Sequence, residues 1–254
     1  MARPPARGRE SGEALGGEQV EGRRAVLELL RAGRRKPRAV YLSNTVTRDD
    51  TVQEIVDRAG GSLRGVAPER IEQMARSEVH QGVLAMTSPL RPVDIDDLLS
   101  VKHAFLVAVD GVTDPRNLGA IMRSAETAGA TGILLPRHRS ARVTPVVAKA
   151  AAGAIEYLPI ALVGGIPASI DRASRAGCWS VGLDERGDRS LFDLDLGDQP
   201  IVLVLGSEGT GLARLTRERC DVLVRIPMQG KVESLNVSAA ATLACHEIAR
   251  RRTG

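Results

Sequence analysis

The chain has 254 residues, 43% of them hydrophobic and 26% charged, with a net charge of +4. This is the composition of a globular protein with room for one large domain or two ordinary ones. No apolar run approaches the ~20 residues that span a bilayer. The first 17 residues carry arginines but lack the apolar stretch of a secretory signal. The three cysteines, Cys178, Cys220 and Cys245, form no C-x-x-C pair. That speaks against a disulfide framework or a zinc site and for buried thiols in a cytoplasmic protein. The first 38 residues hold ten Arg and Lys against five Glu, an excess larger than that of the whole chain. Such a concentration suits either contact with a phosphate backbone or a solvated basic tail. Aromatic residues make up only 2%. This disfavours base stacking and favours nucleic-acid contact through shape, backbone and 2′-hydroxyl groups.

In chain order, residues 1–17 are rich in Gly, Arg and Pro and are expected to be a disordered basic tail. Val26, Leu29 and Leu30 have helical spacing, and Gly33 follows as a stop. A short strand is expected at 39–42. A helix capped by Asp49 or Asp50 then buries Val52, Ile55, Val56 and Ala59 and ends at Gly60 and Gly61. A strand at 62–66, a helix at 68–74 and a strand at 83–86 complete a small α/β unit over 18–87. Pro89 and Pro92 mark a linker, placed at 88–100. From 101 to the end the rhythm changes. The runs 104–109 and 201–205 are continuously apolar, as in strands buried on both faces of a parallel sheet. Further strands are expected at 132–135, 157–160, 179–183 and 222–226. Helices are expected from Asn117, at 166–175 and from Leu235 to about Arg250. This alternation predicts an open α/β domain.

Ligands of open α/β sheets bind at the carboxyl ends of strands. Three polar, glycine-containing segments begin where an apolar strand ends: 110–117, 206–211 and 227–236. The 206–211 loop is neither a Walker A loop nor a GxGxxG turn. It is read either as a tight strand-to-helix turn or as glycine backbone left open to a flat ligand. Asn117 and Asn236 each donate and accept hydrogen bonds, which suits holding loops in register. Glu208 is the carboxylate of the glycine loop. Ser234 stands where an N-cap for the last helix is expected. Arg116 and Lys231 are candidate RNA-phosphate contacts or solvated loop charges. His80, His103, His138 and His246 lie outside the three segments and are read as structural or surface residues.

Asn117-Leu-Gly-Ala-Ile-Met-Arg-Ser-Ala125, Leu205-Gly-Ser-Glu-Gly-Thr-Gly211, and Ile226-Pro-Met through Ser234-Leu-Asn-Val-Ser238 resemble, in order and spacing, the three signature motifs of the SpoU (TrmH-like) RNA ribose 2′-O-methyltransferases. The resemblance runs from about Gly16 to the end. The stretch 20–33 and the turn 79–83 look most like the branch that methylates a guanosine of 23S rRNA. The resemblance implies a C-terminal SPOUT domain with a parallel sheet and a deep trefoil knot, and an N-terminal ribosomal-protein-like RNA-binding domain. It implies a homodimer with its active site near the dimer interface, S-adenosylmethionine as cofactor, and neither metal nor membrane. On matching positions, Gly206, Ile226, Met228 and Leu235 would contact the cofactor, while Asn117, Arg123, Glu208, Ser234 and Asn236 would form the catalytic set. Arg123 is the residue that the family casts as activating the hydroxyl. An arginine, with a pKa above ~12, is a poor base, so the expected role is to orient a phosphate or stabilise the developing alkoxide. Three alternatives stay open: a transfer-RNA guanosine, a ribosomal adenosine, and an RNA-binding or assembly factor without turnover.

Overall fold

A computed structural model of the chain describes residues 14–77, 79–138, 143–232 and 234–253. The expected tail therefore lies outside the described residues as far as residue 13, and its last part is not a tail. Leu15 is 6% exposed and packs into the core of the C-terminal unit.

The N-terminal unit contains β1 (Gln19–Glu21), α1 (Arg23–Ala32), β2 (Ala39–Ser43), α2 (Asp50–Ala59), β3 (Leu63–Val66), α3 (Pro68–Met74) and β4 (Val83–Met86). Its sheet has the order β1-β4-β2-β3, with only β2 and β3 parallel. Val26, Leu29, Val52 and Ile55 cover the sheet from one side. Of the two candidate caps, Asp49 caps α2 and accepts from the Val52 N–H at 2.9 Å. β1 is three residues of mixed polarity, too short to show any periodicity.

The C-terminal unit continues with α4 (Ile95–Leu99), β5 (Phe105–Val109), α5 (Pro115–Thr127), β6 (Gly132–Pro136), α6 (Pro145–Ala150), β7 (Ile160–Val163) and α7 (Ile166–Arg175). β8 (Trp179–Leu183), β9 (Arg189–Ser190), β10 (Ile201–Leu205), α8 (Arg214–Arg219), β11 (Val222–Arg225) and α9 (Val237–Thr253) complete it. Seven strands pair in the order β7-β6-β5-β10-β8-β11-β9, every neighbour parallel. The pleat divides the continuous apolar runs between two cores. Phe105, Val107, Ile201, Leu203 and Leu205 face α5, α6 and α9, whereas Leu106, Ala108, Val202 and Val204 face α4 and α7.

Three expectations are corrected. The strand expected at 157–160 begins at Ile160, because Pro159 has no N–H for the ladder. The expected linker carries α4, and Val93 bridges to Ala161 in β7. The last helix starts at Val237, and its cap is Asn236 rather than Ser234: Asn236 Oδ1 accepts from the Ser238 N–H at 2.9 Å. Cys178 and Cys245 are buried and Cys220 is half-buried, all three as free thiols. Among the described residues no helix is long and apolar enough to cross a membrane, and no group of three or more His, Cys, Asp or Glu could hold a metal ion.

α5 carries Asn117 at one end and Arg123 further along, so its seating matters. It packs closely on α6, where a Cβ at Gly119 would stand 2.5 Å from Ala150 Cβ and 2.6 Å from the Val147 carbonyl oxygen. Gly119→Ala is therefore expected to lower the unfolding free energy by about 1–3 kcal/mol through overpacking, measured by urea denaturation; an unchanged midpoint would show that the helices separate without cost.

Candidate functional site

Because all strands of the larger sheet run one way, the segments after β5, β10 and β11 emerge along one edge. Asp114 caps α5 through the Arg116 N–H at 2.8 Å, and Pro115 opens the helix. Asn117 then lies in the first turn with 8% exposure. Within the glycine loop, the Ser207 N–H donates to the Gly211 carbonyl at 3.0 Å and the Gly211 N–H returns to Ser207 at 3.1 Å. This closure requires glycine at 206, where a Cβ would stand 2.2 Å from the Gly211 carbonyl carbon. Gly206 is thus demanded by the loop's own turn.

The loop presents Glu208 to both other segments. Asn117 Nδ2 donates to Glu208 Oε2 at 3.0 Å, and Asn236 Nδ2 donates to Glu208 Oε1 at 3.2 Å. Asn236 Oδ1 meanwhile accepts from the Ser238 N–H and, at 2.6 Å, from the Ser238 hydroxyl. The carboxylate binds one amide on each oxygen and so joins three segments distant in sequence. An ionised carboxylate offers about four lone-pair positions, so two remain for a ligand on the exposed side of Glu208.

Other predicted residues lie around this network without joining it. Ile226 and Met228 are half-buried, and Leu235 is 40% exposed. Arg116, Lys231 and Ser234 are exposed. Arg123 is exposed too, six residues beyond Asn117, which is about 9 Å along the axis and on another side of the helix. It lines a cleft of about 380 Å³ with Arg24, Arg31, Glu28 and Glu126. Of the histidines, His80 Nδ1 accepts from the Gly82 N–H, His103 bonds the Asp198 carbonyl and His246 approaches Thr127. His138 lines a cavity that Asp110, Gly111, Ser207, Thr210 and Gly211 also line.

Two supporting residues were given no role by the sequence reading: Asp184, which lies outside the three segments, and Asp110, which opens the first of them. Asp184, 5% exposed, follows β8; its Oδ2 accepts from the Leu212 N–H at 3.3 Å and from Arg217 Nε at 3.2 Å. It clamps the far end of the glycine loop. Asp110 accepts from the Thr216 hydroxyl at 2.5 Å, tying the segment after β5 to α8. Asp184 directly follows the apolar strand β8, the same signal that singled out the segment beginning at Asp110.

Residues 104–246 match the model of the SpoU rRNA Methylase family, and residues 19–93 match a second model described as RNA 2′-O ribose methyltransferase substrate binding. An uncharacterized tRNA/rRNA methyltransferase of Mycobacterium ulcerans is 42% identical over 98% of this chain and 81% of its own length. A putative TrmH family tRNA/rRNA methyltransferase of Bacillus subtilis, YacO, is 37% identical over 92% of this chain and 96% of its own length. Among solved structures, the SpoU methyltransferase AviRb of Streptomyces viridochromogenes in complex with AdoMet superposes with a TM-score of 0.77. It shares 29% identity and covers 92% of this chain and 90% of its own.

The geometry predicts strong coupling across the carboxylate. Glu208→Ala leaves the buried Asn117 amide without its partner and should cost about 1–3 kcal/mol of stability. Adding Asn117→Ala to it should cost much less than the sum of the two single changes. Additive losses in a urea double-mutant cycle would mean that the hydrogen bond contributes nothing.

Proposed function

Because the chain belongs to the SpoU rRNA Methylase family and is an S-adenosylmethionine-dependent RNA 2′-O-ribose methyltransferase, we propose that its target is a guanosine of 23S rRNA and that the Asn117–Glu208–Asn236 network is the heart of its active site. The observation that carries the site assignment is the pair of amides converging on one carboxylate. That arrangement brings all three motifs to one edge of the sheet, where ligands of such sheets bind.

The residues fit the cofactor. Ile226 and Met228 are half-buried and Leu235 is exposed, so the segment after β11 offers apolar side chains that, with main-chain groups of the tight loop at Gly206, would suit a flat heterocycle. When bound, S-adenosylmethionine supplies an electrophilic methyl group. The protein's task is alignment, from which much of the rate of such a displacement can come. In this reading Glu208 fixes Asn117 and Asn236, and the free amide and carboxylate positions, with Ser234, hold the acceptor ribose. Arg123, on another side of α5, orients an RNA phosphate or offsets charge growing on the 2′-oxygen. Arg116 and Lys231 bind flanking phosphates.

The C-terminal segment threads a deep trefoil knot, supported by β10 lying between β5 and β8 and by α9 packing on α5 and on residues 191–193. The enzyme is a homodimer, in line with the family resemblance, and it works in the cytoplasm, where RNA and cofactor meet.

Tritium transfer from labelled S-adenosylmethionine to unmodified transcripts of 23S rRNA and of transfer RNA tests the target. Label is expected in 23S rRNA, at one nucleotide that resists alkaline cleavage. Label in transfer RNA alone would move the target, and none in either from cofactor-bound protein would overturn the reading. Arg123→Ala should keep cofactor affinity while lowering the single-turnover rate about 100-fold or more; an unchanged rate at saturating RNA removes Arg123 from the chemistry.

A further inference from the structure

The two units meet through a buried ion pair. Arg35, after α1 in the N-terminal unit, and Glu156, in the C-terminal unit, have side chains only 7% and 1% exposed. Arg35 Nε donates to Glu156 Oε2 at 3.0 Å, and Arg35 Nη2 donates to Glu156 Oε1, so the pair is bidentate. The third nitrogen, Nη1, donates to the carbonyls of Gly17 at 2.8 Å and Ser88 at 2.7 Å. Those carbonyls belong to the two stretches of chain that enter and leave the N-terminal unit. One guanidinium therefore holds both connections and the neighbouring unit together.

The connections are pinned to each other as well. The Thr87 N–H donates to the Glu18 carbonyl, the Leu90 N–H to that of Gly16 and the Leu15 N–H to that of Leu90, at 2.8, 2.9 and 3.0 Å. Leu15 and Leu90 pack into the core of the C-terminal unit. Beside them, α1 sits so close to residue 153 that a Cβ there would stand 2.2 Å from Glu28 Cβ, and φ at Gly153 is +93°. Tyr157 Oη donates to Glu28 at 2.8 Å, and Arg34 Nη1 donates to the Tyr157 carbonyl at 3.0 Å.

We propose that Arg35 and Glu156 are positioning residues that hold the substrate-binding unit and the methyltransferase unit as one rigid body, so that a single RNA is gripped by both at once. This rests on the RNA-methyltransferase reading above. The docking brings Arg24 and Arg31 of α1 to the cleft that holds Arg123. Glu28 and Glu126 line the same cleft, and Glu28 pairs with both α1 arginines. The cleft is thus a mixed-charge, ordered surface whose shape depends on the docking. Two surfaces fixed in register bind one ligand more tightly than two that swing, because less freedom is lost on binding.

The test uses Arg35→Met in the full chain. Filter binding of an unmodified 23S rRNA transcript is expected to weaken about tenfold or more, while S-adenosylmethionine affinity by calorimetry and kcat at saturating RNA stay within about twofold. Small-angle scattering should show a larger maximum dimension than the wild type. Cofactor binding reports that the methyltransferase unit remains folded, which a general loss of structure would not allow. If Arg35→Met fails that check, Glu156→Gln, which keeps the shape and removes the charge, takes the same measurements. RNA affinity equal to that of the wild type, or an unaltered scattering profile, overturns the proposal. Scattering needs no RNA, so its outcome is independent of which RNA is the target.

Discussion

The seven strands of the larger sheet all run in one direction, and β10 lies inside it, paired with β5 on one side and β8 on the other. Its five residues are buried on both faces, so no register shift can move a side chain to solvent. Parallel strands deliver their carboxyl ends to one edge, and the loop after β10 is held between those after β5 and β11. The geometry of the network follows from that placement. Glu208 can accept one amide from each of the other two segments because β10 carries it to the same edge of the sheet, between β5 and the more distant β11.

Around this network, polar groups hold the loops still. Asp184 grips the end of the glycine loop and Asp110 ties down α8. Asn236 both caps α9 and reaches the carboxylate. A bonded network of this kind suits a reaction whose acceleration comes from alignment. Arg123 stands apart from it on α5, in a cleft that residues of α1 also line. Asn117 and Arg123 thus occupy different faces of one helix, whose seating on α6 depends on the bare Cα of Gly119.

The N-terminal unit is drawn into the same frame. Proline-rich segments between domains read as flexible connectors, yet here 88–92 runs beside 15–18 and is fastened by Arg35. The partners are side chain and carbonyl groups more than fifty residues apart in places, and no local pattern encodes such an arrangement. The same holds for residues 14–17. Their composition is that of a tail, but Leu15 finds a place among Val143 and the core residues of the C-terminal unit.

Local signals in the sequence determined the apolar strands, notably 179–183 and 201–205, the helix at 166–175 and a helix cap at Asp49 or Asp50, between which the structure chose Asp49. They also marked three polar segments as strand ends, since period, capping and run length are properties of neighbouring residues. The motif pattern singled out Asn117, Glu208 and Asn236 as residues to watch. Only the tertiary structure decided that these three share one carboxylate, that Asn236 rather than Ser234 caps the last helix, and that Gly206 serves its own loop. It alone decided that Arg35 locks the two units. Each of these depends on atoms brought within about 3 Å across large sequence separations, a contact that propensity and periodicity do not carry.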